Sequence, residues 1–291
     1  VSMKIINMLQ LSAFILQGKG KVLCVFFFFV IPFEIFAQGN LLVTPRRIVF
    51  EGKKQREEIT LANTGKDTAF YSISFLQYYM TKEGSFEEIT EPRQGQLFAD
   101  SYLRYFPRSV EIAPGESQVV RMQVRPRPGM TDGEYRSHLY FRAIPKEKPL
   151  GEDDAASDST VIGIKLTPIF GISIPVIIRY GKVDFKVSIN NLALEKQENG
   201  TLALKIELDR NGNRSTYGDL SVDYIAPGVE KTNVGMIRGI AVYTPNNERR
   251  IVLPLHITEG VDFKNGKLLV RYTSSNEARS KLYAEKELVL N

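Results

Sequence analysis

Few residues of this chain have types that support covalent or metal chemistry, and their spacing argues against both. Its 291 residues include two histidines, His138 and His256, far apart and each inside a strand-like run, and one cysteine, Cys24. A zinc or nucleophile site needs more ligands or partners than these supply, so both histidines read as structural. Glu87-Glu88 and Asp153-Asp154 are adjacent acids in polar stretches. General acid–base work needs facing carboxylates in a cleft, and solvated loop charges are the expectation here. There is no phosphate loop or dinucleotide fingerprint. The sequence predicts no enzyme, no metal site and no cofactor. What remains are three charges within or at the end of otherwise strand-like runs, Arg47, Glu134 and Arg179. Singly, each reads as a solvated rim residue.

The element that gives these charges a context is the stretch 162–178. Every second residue there is Ile162, Ile164, Leu166, Pro168, Phe170, Ile172, Ile174, Val176 and Ile178, while the intervening set is smaller and partly polar. Period-two alternation of that length predicts one extended strand with a wholly apolar face. Strands commonly run about five or six residues, so this one is long enough to serve two sheets or two partners. The plainer reading is the last strand of a sandwich, filling its own core.

Composition is that of an ordinary globular chain, with 43% hydrophobic and 24% charged residues. The net charge of +5 comes from basic residues spread along the sequence, which does not predict nucleic-acid binding. Lys19 and Lys21 precede an apolar run at 22–33 and then Ile35-Phe36-Ala37, the pattern of a secretory signal cut after Ala37. The run is short for a membrane span, and an uncleaved anchor is the alternative. Cys24 lies within that segment, so the mature chain would stand on hydrophobic burial without disulfides.

From residue 41 onward the sequence reads as strand after strand. Apolar or β-branched runs fall at 41–50, 58–65, 68–80, 103–112, 117–126 and 133–145, then 162–178. Stretches 82–96 and 146–160 are polar and read as loops. After Gly181 a second set follows at 186–195, 201–210, 219–225, 239–245, 249–257, 267–273 and 281–290. No segment has helical periodicity. The expected fold is all-β, two β-sandwiches over 38–180 and 181–291 behind a signal peptide at 1–37.

The stretches TPRRIVFEG (44–52), ITLANTG (59–65), APGESQVVRMQVRP (113–126), DGEYRSHLYFRAIP (132–145) and ISIPVIIRYG (172–181) occur in an order that resembles the PapD-like periplasmic chaperones of the chaperone–usher pilus pathway. The resemblance covers about residues 40–181 well; beyond that, NRSTYGDLSVDYI (213–225) and IAVYTPNNERRIVLPL (240–255) carry it weakly. It implies two immunoglobulin-like sandwiches set at an angle with a cleft between them, and residence in the periplasm. It implies pilus or surface-fibre subunits as clients, an outer-membrane usher as the receiver, and a self-capping oligomer in the free state. The client lacks a final strand, and the chaperone lends its own by β-augmentation. The implied donor set is Ile164, Leu166, Phe170, Ile172, Ile174 and Val176. Arg47 matches the arginine that grips the client's C-terminal carboxylate, and Glu134 with Arg179 matches an interdomain ion pair. One departure stands out: where the family has a second basic residue, this chain has Pro175, with neither charge nor N–H. The rival expectation is an exported structural or adhesive protein whose long strand is internal core.

Overall fold

Two prolines decide how the first sandwich is laced. The structure is a computed structural model that describes residues 41–145, 168–198, 200–256, 260–275 and 280–290. The run expected at 41–50 is cut at Pro45 into β1 (Leu41–Thr44) and β2 (Ile48–Phe50), which join different sheets. Proline has no N–H to continue a ladder, so the chain leaves one sheet there and enters the other. β3 (Arg56–Asn63) and β4 (Ala69–Leu76) follow, then β5 (Tyr78–Met80) and β6 (Phe86–Glu88), a hairpin whose first strand ends the run expected at 68–80 and whose second lies in the stretch 82–96 expected as a loop. All three residues of β6 are exposed, so no alternation marks it; Gly84, at φ +86°, supplies its turn. The run at 103–112 is again cut at a proline, Pro107, into β7 (Leu103–Phe106) and β8 (Ser109–Ile112), one in each sheet.

β9 (Ser117–Val124), β10 (Gly133–Ile144) and β11 (Gly171–Tyr180) complete this half. The sheets are β1-β3-β9-β7 and β2-β11-β10-β4-β8, an immunoglobulin-like arrangement whose first strand is shared between both. Tyr135, near the start of β10, bonds through its hydroxyl to the Thr131 backbone, the tyrosine corner of such sandwiches. Between the sheets lie Ile59, Leu61, Ile112, Leu139 and Phe141, among others.

The second half holds β12 (Lys186–Lys196), β13 (Leu202–Asn211), β14 (Thr216–Ile225), β15 (Thr232–Val242), β16 (Glu248–Pro254), β17 (Lys267–Ser274) and β18 (Leu282–Val289). Their sheets are β12-β13-β16 and β15-β14-β17-β18 around a separate core that includes Leu204, Leu220, Val222 and Tyr272. Each sheet draws its strands from one half alone. Among the described residues the helical content is one short 3-10 turn, Asp100–Tyr102. The expected signal segment, Cys24, the loop 146–160 and the positions Ile164 and Leu166 lie outside the described residues.

The long strand differs from expectation in extent and in use. Its described part begins at Gly171, with Ile169 and Phe170 exposed ahead of it, and it continues to Tyr180. Ile174 and Val176, expected in the donor set, are 2% and 0% exposed and pack in the first sandwich's own core. Ile172 packs against that core at its margin. The donor role expected of Ile174 and Val176 thus falls on side chains held between the chain's own sheets. Phe170, by contrast, is 63% exposed.

Candidate functional site

The outer face of β10 is where the structure departs most from a solvated sheet. Tyr135, Ser137, Leu139 and Phe141 point into the core, so Glu134, Arg136 and His138 face the opposite way. In an isolated sandwich these would be in water. Here they are 2%, 3% and 5% exposed, because the second half and the β5–β6 hairpin cover them. The seam is a small apolar patch in which Ile177 and Val49 of this sheet meet Met80 of the hairpin and Ala241, Tyr243 and Tyr217 of the second half.

Arg47 reaches the same face. It precedes Ile48, whose neighbour Val49 pairs with Ile177, whereas Arg46 is exposed. The Arg47 guanidinium lies 4.4 Å from the Tyr217 ring centroid and 5.3 Å from that of Tyr243, and its Nη1 donates to the Tyr243 hydroxyl. Arg136 lies 4.2 Å from the Tyr243 centroid. One tyrosine ring thus faces two guanidinium groups, each held by cation–π attraction. Arg136 Nη2 donates to the Tyr78 carbonyl at 3.3 Å, while its Nε and Nη1 have no hydrogen-bond partner, and neither does Arg47 Nη2 or His138 Nδ1.

The electrostatics follow from that crowding. Burial lowers the Arg136 pKa, the Tyr243 hydroxyl and Glu134 oppose the shift, and Arg47 adds to it. Burial also pushes His138 down to about 3, helped by the Arg136 and Arg47 charges, so the imidazole is neutral. A hydrogen-bonded carboxylate is the natural partner for such a cluster, and among the described residues neither arginine has one. Beside the cluster opens a cavity of about 440 Å³ lined by Tyr78, Phe86, His138, Ser173, Pro175 and Tyr243. His138 is the cross-strand partner of Pro175.

The edge of β11 leads to this place. β10 pairs with it along its length, but β2 covers its other side only at Val176–Ile178. Among the described residues no strand pairs with that side over Gly171–Pro175, about 16 Å of open ladder at strand rise. Arg47 stands just ahead of Ile48, the partner of Val176, so the open stretch ends at the cations.

Glu134 and Arg179 meet, with Arg179 Nε 3.2 Å from Glu134 Oε2, but both belong to one sheet and face each other across β10 and β11. The pair therefore does not itself cross between the halves. The crossing is made by Glu134, which accepts from the Ser215 backbone N–H at 3.2 Å and from the Ser215 hydroxyl, and by its own N–H to the Asn213 carbonyl at 3.1 Å. Arg179 also pairs with Glu51 at 2.7 Å. His256 is exposed and makes a backbone bond, and Glu87 pairs with Arg93 at 2.6 Å. Asp153 and Asp154 lie outside the described residues. Arg136 is not among the charges the sequence singles out; its parity with Glu134 along β10 is the one signal that marks it.

No family model and no curated protein matches the chain. Among solved structures it is similar to the YadV chaperone, at 12% identity over 87% of this chain and 100% of that one, with a TM-score of 0.43. It is also similar to a chain of the CsuC–CsuE chaperone–tip adhesion subunit pre-assembly complex, from the archaic chaperone–usher Csu pili of Acinetobacter baumannii. There the identity is 13% over 86% of this chain and 98% of that one, with a TM-score of 0.42. A chain from a chaperone–tip adhesin complex of CFA/I fimbriae biogenesis is 14% identical over 87% and 99%, with a TM-score of 0.41.

Proposed function

We propose that this chain is an exported, non-enzymatic chaperone that holds an unfinished β-sandwich subunit along the open edge of β11. One observation carries the reading: the stretch Gly171–Pro175, unpaired on one side among the described residues, ends at a buried cation cluster that has no hydrogen-bonded carboxylate among them. A strand added there continues the line of β2. If it runs parallel to β11, as β2 does, its last residue arrives at Arg47, and its terminal carboxylate meets the guanidinium. An antiparallel strand would bring an ammonium to the same cations, which repel it. Charge thus selects both polarity and register. Main-chain bonds hold the strand, and Phe170 fills the client's open groove. The periplasm, fibre subunits as clients, delivery to an outer-membrane usher and a self-capped free state belong to the same reading.

The burial of Ile174 and Val176 favours a second reading, an exported structural or adhesive protein in which β11 is internal core. That reading leaves the open edge and the unpaired cations without a role. Co-expression in a periplasm with the candidate subunits encoded beside the gene separates the two. The expected outcome is a one-to-one complex, lost in Arg47→Ala and in Phe170→Asp while each variant stays folded. A monomer that captures none of them, or capture untouched by both substitutions, overturns the chaperone reading.

A further inference from the structure

Pro175 removes the second basic group from β11, yet the site is not left with one cation. Arg136 reaches it from β10, two residues from His138 on the same face. Its burial makes its hydrogen bonding informative. Arg210 is buried to the same 3% and donates to three carbonyls, those of Asn246, Gly212 and Arg214. Arg136 donates to one and leaves Nε and Nη1 without a partner. A buried guanidinium held two donors short is costly unless a ligand completes it. Arg47 Nη2 is short of a partner beside it, and the Nη1 of Arg47 is occupied by the Tyr243 hydroxyl. A neutral hydroxyl is a weaker acceptor for a guanidinium than a carboxylate is.

We propose that Arg136 is the second cation of the carboxylate site, and that Tyr243 is a stand-in acceptor which the incoming C-terminal carboxylate displaces from Arg47. The inference rests on the chaperone reading for the identity of the carboxylate, a peptide C-terminus. The way in is the cavity beside Tyr243, whose walls include the aromatic rings of Tyr78 and Phe86. On arrival the carboxylate accepts from Arg47 and Arg136, both of which lie against the Tyr243 ring, and the hydroxyl swings away. The two basic residues thus come from strands flanking β11 in the sheet, β2's lead-in and β10, and β11 contributes the edge alone.

The test uses the full chain and a small probe, 3-phenylpropionate, with 3-phenylpropionamide as its uncharged counterpart. Arginine Nε–H resonances are followed by NMR during titration. The signals of both Arg47 and Arg136 are expected to move with the acid and not with the amide. Arg136→Gln should weaken binding of the acid about tenfold, and Tyr243→Phe should strengthen it about fivefold by removing the competing hydroxyl. An Arg136 signal that stays still while that of Arg47 moves overturns the proposal, as does an equal response to the amide. Weaker binding in Tyr243→Phe overturns the displacement. The wild-type titration decides even if Arg136→Gln folds poorly. Subunit capture keeps the two readings apart. A probe response as expected without any capture overturns the chaperone function and leaves the site; capture with an unmoved Arg136 signal does the reverse.

Discussion

His138 shows how the covered face of β10 governs a single residue. The ring lies edge-on to Tyr78 and Phe86, with centroids 4.9 and 5.6 Å away, and faces Arg136 and Arg47 with no carboxylate of its own. Its folded pKa of about 3 is below the unfolded value of 6.5. The unfolded chain therefore binds the proton first as the pH falls. The neutral ring's contribution to stability is complete above about pH 6.5 and is lost progressively toward pH 3. The limiting slope for one proton is about 1.4 kcal/mol per pH unit. Between pH 6.5 and 5 the wild-type protein should lose up to about 2 kcal/mol more than His138→Phe, read from urea unfolding at each pH. Parallel losses in the two proteins would mean that His138 is not held neutral. From the sequence His138 reads as a satisfied structural residue; its buried place agrees, and its unpartnered Nδ1 does not. Arg136 was passed over because a strand's outward face normally meets water, and nothing local announces that another sandwich covers it.

At the scale of elements, alternation located nearly every strand, and proline explains where runs divide. Pro45 is legible as an interruption and the run at 103–112 reads as unbroken through Pro107; in neither case does the sequence say that the chain resumes in the opposite sheet. β11 is the instructive case. Its even residues divide along its length: Phe170 is exposed, Ile172 is marginal, and Ile174 and Val176 are core. Substitutions should divide the same way. Ile174→Asp places a charge in the first core and should destabilise by more than about 3 kcal/mol, while Phe170→Asp should change stability by less than about 0.5 kcal/mol. Thermal and urea unfolding of the two variants check this directly. Equal tolerance would place β11 outside the core; equal collapse would mean that Phe170 is packed. The β5–β6 hairpin was legible only in β5, which ends the run 68–80, since the three residues of β6 are all exposed and carry no period. It nonetheless bridges both halves, through Lys82 to Glu248 at 2.6 Å and the Met80 carbonyl to Asn246.

At the scale of the whole molecule, the contact between the two halves is small in apolar area and rich in directed bonds. Glu134 is central to it, with its side chain fully buried and bound to Arg179 and Ser215. Breaking a buried charged pair by removing one partner costs about 3–5 kcal/mol, because the other charge is left behind. Glu134→Ala should lose about that much, tempered by the Glu51 carboxylate that Arg179 keeps. Ser215→Ala should lose about 1.5–3 kcal/mol, the worth of one hydrogen bond to a charged group. Urea unfolding measures both, and a Glu134→Ala protein as stable as wild type would show that the two halves do not depend on this carboxylate.

The sequence by itself determined the all-β class, two runs of strands meeting near Gly181, and the apolar alternation over 162–178 that reads as a strand, described in the structure over Gly171–Tyr180. Those properties follow from period two and from turn residues, which are local. Tertiary structure decided whose core that apolar face fills, which stretch of edge stays open, and that Arg47, Arg136 and His138 share one buried site. Alternation tells which residues share a face of a strand. It cannot tell what lies against that face, because that partner comes from chain far away in sequence, here Tyr217 and Tyr243 of the second half.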